Sequence, residues 1–376
     1  MTLANNLPTT HLWLILTESH TGKTRGMKAR VMFCVTSVVL GASMLTACTD
    51  DNKKLAADAK LAQQAKASKA AAHAKISNAA AAKANEVGDI PVLMYHRIVA
   101  KPSVADDRTP AQFRAELERL ATEGYVPVTA AEYVTGRINI PAGRHPVVIT
   151  LDDSSPSQLT FTANGEPTPD SAAGIIRDVG ARYPGFRPVA TFYVIRDLFQ
   201  LHESSQQRQA LAWLATNGFE IGNHTKDHLD LSGKSQEQVT QQIAAGHALI
   251  TGLGGPAPIT LALPYGNTPR KPQWAATGRA GSTSYSNKGV FRAGYTPAAS
   301  PFAARFDPLA IPRIRAGNSG GNCEQFCSQG WLDSLKQNPA DRYTSDGAPD
   351  TIAVPAHKTE EVNKKLRAKV LAYKAT

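Results

Sequence analysis

From Ile90 onward, short apolar runs alternate with longer stretches in which apolar residues return every three or four positions. Val92–Tyr95 reads as a strand. Pro110–Glu123 reads as a helix, with Phe113, Leu117 and Leu120 at helical spacing, Thr109 as N-cap and Pro110 at the first helical position. Val147–Leu151 is the next strand, followed by a helix over Asp170–Ala181, a strand over Ala190–Ile195 and a helix over Ser205–Asn217. The run Gly218–Gly222, centred on Glu220 and Ile221, is a further strand, then Gln236–Leu253 a helix and Thr260–Leu263 a strand. Thr351–Val354 is strand-like, and Lys358–Tyr373 is expected to form a charged terminal helix. Alternation of this kind predicts a parallel sheet with outer helices, closed or open. There is no internal repeat.

The N-terminal part follows a different pattern. Met27–Arg30 is a short basic stretch, Val31 to Ala47 is apolar, and Leu45-Thr46-Ala47-Cys48 has the form of a lipobox. Residues 27–47 are therefore expected to be a lipoprotein signal peptide, cleaved before a lipidated Cys48; the apolar run is short for a spanning helix. Residues 1–26 precede that signal and are read as a start-site extension. Residues 48–86 form an Ala/Lys-rich stalk: Asp50 to Glu86 contains no Gly or Pro, has high helix propensity and offers little large apolar surface. Residues 87–376 are then one folded domain.

Charge and cysteines sharpen this picture. Part of the net charge of +10 sits on the stalk's lysines, which suits anionic membrane or wall polymer beside a lipid anchor. No basic motif interleaved with aromatics points to nucleic acid. Of the four cysteines, Cys34 lies in the removable segment and Cys48 is the anchor candidate. Cys323 and Cys327 remain, and in an exported chain they can form a disulfide pinning the Gly-rich stretch 317–321. The chain is expected to be a monomer, exported and held at the cell membrane.

Two strand ends carry the chemistry. The run Val147–Leu151 ends in Asp152-Asp153, and the run Gly218–Gly222 is followed by Asn223-His224-Thr225-Lys226-Asp227-His228. Taken singly, an Asp pair at a strand end is an ordinary turn, and two His four apart are an ordinary surface pair. Together they sit where α/β folds gather their chemistry, at the carboxyl ends of strands. On a helical turn His224 and His228 would share a face and chelate one ion, with Asp153 available as third ligand. An open site of this type holds Zn²⁺ or a related divalent ion and lowers the pKa of its water to about 7. Beside such a cation Asp152 stays ionised and can take the water's proton.

These residues resemble the motifs of the polysaccharide deacetylases of carbohydrate esterase family four, the NodB-homology domain. Thr150-Leu151-Asp152-Asp153 is similar to the family's T-F-D-D motif, His224-Thr225-Lys226-Asp227-His228 matches H-[ST]-x-x-H, and Leu263-Pro264-Tyr265-Gly266 matches a third motif except for its Arg. Ile90-Pro91-Val92-Leu93-Met94-Tyr95-His96 and Ile311-Pro312-Arg313-Ile314 resemble the branch that deacetylates poly-N-acetylglucosamine. The resemblance spans about residues 90–352. It implies a distorted (β/α) barrel of about seven parallel strands with outer helices. It also implies Asp152 as base, Asp153, His224 and His228 as metal ligands, Pro264 and Tyr265 shaping the groove and the oxyanion site, and His96 as general acid. His357, after the strand-like Thr351–Val354, is the competing candidate for that acid.

The chain departs from the family in having Leu151 for Phe, Ser154-Ser155 for an Asp-Gly continuation, and Leu263 for the Arg that would orient the base. Arg313 or Arg315 is expected to supply that charge. The implied function is metal-dependent removal of acetyl groups from an N-acetylated polysaccharide. The alternatives are a glycan-binding lipoprotein without turnover and an O-deacetylase.

Overall fold

The computed structural model describes residues 47–317 and 327–375. The start-site extension, the signal peptide up to residue 46 and Cys323 lie outside the described residues, as does the side chain of Cys48. The described residues divide into two units, one up to residue 64 and one from residue 65 onward. Helix α1 (Ala47–Ala81) covers the stalk. Its side chains are exposed from residue 53 to residue 78, and Ala79 is its first buried one. No helix among the described residues is long and apolar enough to cross a membrane.

After α1 the chain runs through β1 (Asp89–Ile90), β2 (Val92–Tyr95), α2 (Pro110–Thr122), β3 (Tyr125–Val128), α3 (Ala130–Val134) and β4 (His145–Asp152). Then come α4 (Ala172–Arg182), β5 (Thr191–Val194), α5 (Ser204–Thr216), β6 (Glu220–Asn223), α6 (Gln236–Gly252) and β7 (Thr260–Ala262). A smaller α7 (Gln273–Ala276) leads to the hairpin β8 (Thr277–Ala280) and β9 (Thr283–Ser286), then β10 (Gly289–Gly294), β11 (Ala298–Ala299) and β12 (Ile311–Arg315). The described chain ends with α8 (Ser328–Gln337), β13 (Ile352–Pro355) and β14 (Val370–Tyr373).

Strands β2, β12, β10, β7, β6, β5 and β4 are joined in that order, all parallel, and β2 pairs again with β4. The result is a closed barrel of seven parallel strands with helices around it, as the family resemblance implies. It is distorted: β6 and β7 meet through one register pair, Asn223 with Leu261. Strand β3 adds to the first half of β4.

Side-chain alternation sorts the strand residues. Leu93 and Ile149 pack outward with Phe113, Leu117 and Leu120 of α2 and with Ile175, Ile176 and Val179 of α4. Val92 and Val148, one step away, pack in a second cluster with Tyr193, Phe291 and Ile311. Each fully buried Leu or Phe of α2 contributes about 1.5–3 kcal/mol by leaving water. Thr109 closes a capping box with Gln112, which with Pro110 fixes where α2 begins. The same alternation places Asp152 on the face of Val148, and Arg313 on the face of Ile311.

Two expectations need revision. Lys358–Tyr373 is not a helix: it forms 3₁₀ turns over Ala356–Glu361 and Lys364–Lys369, and then β14, which pairs in parallel with β13. Val362, Leu366 and Val370 recur at helical spacing, but here they pack against Ile352 and Val354, and the strand places Tyr373 inside, where it donates to Ala84 O at 2.9 Å. Packing also starts before residue 87, since Ala79, Ala84, Asn85 and Glu86 are all buried.

Glu86 makes that junction sensitive to pH. Its carboxylate accepts from Tyr343 Oη at 3.1 Å and from Ala353 N at 2.9 Å. Burial, reinforced by the charge of Asp346, nevertheless pushes its pKa from 4.5 up to about 8. Between those values the folded chain keeps a proton that the unfolded chain has released, so stability falls as pH rises through that window. The thermal midpoint is expected to drop from pH 5 to pH 8, and Glu86→Gln should flatten the drop. Parallel curves for the two proteins would exclude Glu86 as the source.

Candidate metal centre

The carboxyl ends of β4, β6 and β7 are held in unusual backbone conformations. Eight non-glycine residues among those described have φ in the left-handed region. Seven follow barrel strands: Asp153 and Ser154 after β4, Phe199 and Gln200 after β5, Thr225 and His228 after β6, and Tyr265 after β7. Such backbone is uncommon for L-residues and persists where the surroundings enforce it, typically at functional sites.

Thr225 and His228, with φ of 63° and 51°, show that the His pair lies on a loop and not on the helical turn its spacing suggested. Asn223 builds that loop by accepting from Thr225 N at 2.9 Å and donating to Ile243 O of α6 at 2.9 Å. Gly246 lets α6 come this close, since a Cβ there would lie 2.3 Å from Asn223 Oδ1. The loop brings the imidazoles of His224 and His228 to a centroid separation of 4.9 Å.

Asp153 Oδ1 lies 3.4 Å from His224 Nε2 and 3.3 Å from His228 Nε2. It is buried and makes no hydrogen bond. Ligand atoms on a tetrahedral ion with bonds of about 2.0–2.1 Å sit about 3.3–3.4 Å apart, so these three atoms fit one divalent cation. His224 Nδ1 lies 2.8 Å from Ala262 O and can only donate to that carbonyl, which leaves Nε2 with its lone pair free for a metal. Burial pushes the His224 pKa down, but Asp152 and Asp153 more than reverse that; the same negative field draws a cation.

Asp152 sits beside this set, with Oδ2 3.7 Å from His224 Nε2. Both of its oxygens accept from Arg313, Nη1 to Oδ1 at 2.6 Å and Nη2 to Oδ2 at 2.7 Å. Burial pushes the Asp152 pKa up, but Arg313 and His224 overcome it and hold the carboxyl well below the usual range. Arg313 is itself buried, donates to Thr150 Oγ1 at 3.2 Å and lies over the Tyr193 ring at 5.6 Å. The expected guanidinium therefore comes from β12, two strands along the sheet from β7, which Leu263 follows. Arg315 turns to Asp106 at 3.0 Å instead.

A cavity of about 370 Å³ opens over these groups. His96, Leu263, Tyr265, Arg313 and Arg315 line it together with the Asp and His residues. The Tyr265 ring is exposed and meets His228 edge-on at 4.6 Å, while Pro264 is buried in the turn beneath it. His357 is exposed on the turn between β13 and β14 and does not line this cavity. Cys327, at the start of α8, is disulfide-bonded.

One residue of this centre was not singled out in the sequence. Gln158 is fully buried, and its Nε2 donates to His96 O at 2.8 Å and to Asp152 O at 2.5 Å. A single amide thus ties the end of β2 to the end of β4. Its only trace in the sequence is a Gln six residues after Asp152, in the loop where the chain departs from the Asp-Gly continuation.

The described residues thus bring together, at the carboxyl ends of a parallel barrel, an Asp/His/His set that could hold a metal ion and a clamped Asp beside it. Residues 186–283 match the profile of the polysaccharide deacetylase family. Bacillus subtilis (strain 168) YxkH, described as a polysaccharide deacetylase, is 25% identical over 209 residues, which cover 53% of this chain and 66% of that protein. The chain thus spans just under two thirds of this curated relative. The Streptococcus pyogenes deacetylase PplD, solved with acetate, superposes with a TM-score of 0.49 at 22% identity, covering 66% of this chain and 99% of PplD. IcaB from Ammonifex degensii gives 0.44 at 20% identity, over 69% of this chain and 98% of IcaB. Over residues 186–283 the chain is thus similar to the polysaccharide deacetylase family, a family of hydrolases.

Proposed function

We propose that this protein hydrolyses acetamido groups of an N-acetylated polysaccharide at the cell envelope, with Asp153, His224 and His228 holding a divalent ion such as Zn²⁺. The carrying observation is the convergence in one cavity of that ligand set and an Asp152 whose two oxygens are both held by Arg313. A divalent ion held there supplies a Lewis acid and an attacking water activated near neutral pH. Asp152, held ionised and oriented, accepts the water's proton. His96, at the end of the neighbouring strand β2, gives a proton to the departing nitrogen, so that amide and water become amine and acetate. Tyr265 and Pro264 shape the wall where the acyl oxygen sits, with the Tyr265 backbone N–H as oxyanion donor. Gln158 keeps the His96 and Asp152 strand ends in register.

The reading as a binder without turnover arose from the Leu263 substitution. Arg313 removes its basis, because a pure binder has no need of an ionised base clamped beside a metal. The envelope location stands on the lipobox at Cys48 and the lysine-rich α1, which suit a lipid anchor beside an anionic surface.

The test is acetate release from peptidoglycan, chitin oligomers, poly-N-acetylglucosamine and acetylated xylan, before and after metal removal. Release is expected from at least one N-acetylated polymer, lost on chelation and restored by Zn²⁺. Release from xylan alone would shift the assignment to O-deacetylation, and release unaffected by chelation would defeat the metal centre.

A further inference from the structure

The β4–α4 and β5–α5 connections leave the same end of the barrel as the metal centre and enclose a second cavity of about 490 Å³. Phe161 and Thr162 line it from one side, and Phe199, Gln200, Gln206 and Gln209 from the other. The two connections are joined at the metal centre itself. Ser154, directly after Asp153, accepts from Phe199 N through its carbonyl at 2.8 Å and from Ile195 N through its hydroxyl at 3.3 Å.

Three observations bear on what this cavity takes. No charged side chain lines it, whereas the metal cavity is walled by Arg97, Asp106, Asp107 and Arg315. An ionic ligand would find no counter-charge here. The amides of Gln200, Gln206 and Gln209 are exposed and make no side-chain hydrogen bond among the described residues. Each offers a carbonyl acceptor beside two N–H donors, the pairing that sugar hydroxyl and acetamido groups satisfy. Finally, Phe199 and Gln200 are consecutive residues in the left-handed region, with φ of 51° and 55°. Backbone of this kind is strained for L-residues and marks a conformation the fold enforces. Here it puts Phe199 inside and Gln200 on the cavity wall.

We propose that this cavity is a second carbohydrate site, which binds uncharged N-acetylated sugar units of the polymer at a distance from the acetyl group being removed. The inference rests on the glycan reading above and adds a determinant of chain length. Remote binding of this kind favours long chains without touching the reacting atoms.

The test is calorimetric binding of N-acetylglucosamine dimer and hexamer to full-length protein carrying its metal, for wild type, Gln206→Ala/Gln209→Ala and Gln200→Ala. Wild type is expected to bind hexamer at least tenfold more tightly than dimer. The variants should lose most of that advantage, with dimer affinity and metal content unchanged. No preference for hexamer in wild type, or variants that weaken both ligands equally or neither, would overturn the site. Acetate release is followed separately: a hexamer preference that disappears in the variants without any acetate release would uphold the cavity and fail the hydrolase assignment instead.

Discussion

A His224→Ala/His228→Ala protein should purify folded, carry no stoichiometric divalent metal and release no acetate. Both lost imidazoles face Asp153 Oδ1, at 3.4 and 3.3 Å, and a single carboxylate does not hold a transition ion. Some stability goes as well. His224 donates to Ala262 O in a buried position, and a buried carbonyl left without its donor costs about 1–3 kcal/mol. The thermal midpoint should therefore fall while cooperative unfolding remains. Metal content by mass spectrometry decides the matter, since full occupancy in this double variant cannot be reconciled with the proposed ligands. Asp152→Asn makes the contrast. It should keep the metal and lose roughly 10²–10⁴-fold in rate, the usual contribution of one proton transfer.

How far the sequence reached depends on the range of each signal. Helix α2 was legible because its cap, its first-turn proline and its apolar stripe are all local. The ends of β4 and β6 were legible for the same reason: a strand-like apolar run precedes the functional residues in each. The convergence of His224 and His228 on Asp153 is in the structure, but not the helical turn that suggested it. Asn223 and the close approach of α6 at Gly246 replace the helical turn by a loop, and neither contact is visible at a spacing of four. Gln158 escaped because its partners, the carbonyls of His96 and Asp152, belong to two different strands. The terminal segment was misread because charge and helix propensity were weighed without a partner, whereas pairing with β13 decides its form. Arg313 is the intermediate case. That the base needed a cation followed from electrostatics and the substitution at Leu263; that β12 delivers it follows only from barrel closure between β2 and β12.

Arg313→Leu should lower activity nearly as far as Asp152→Asn does, although Arg313 is not a metal ligand. The guanidinium holds both oxygens of Asp152 inside the barrel, where neither partner is solvated. Removing it leaves a buried carboxylate with the metal centre as its remaining cationic neighbour, 3.7 Å from His224. The carboxylate then either takes up a proton or swings toward the ion, and in both cases it no longer reaches the water. Breaking a buried pair from one side also costs about 3–5 kcal/mol, so the variant should unfold at lower temperature. Arg313→Lys keeps a charge but not the two-pronged contact, and should recover only part of the rate. Two further variants separate a role through Asp152 from general damage. In an Asp152→Asn background, Arg313→Leu should remove little additional activity, because the two residues act as one unit. Leu263→Arg in the Arg313→Leu background should return part of the rate, because position 263 lines the same cavity. Rate losses that simply multiply in the first double variant would show that Arg313 does not act through the base, and the clamp would then be structural alone.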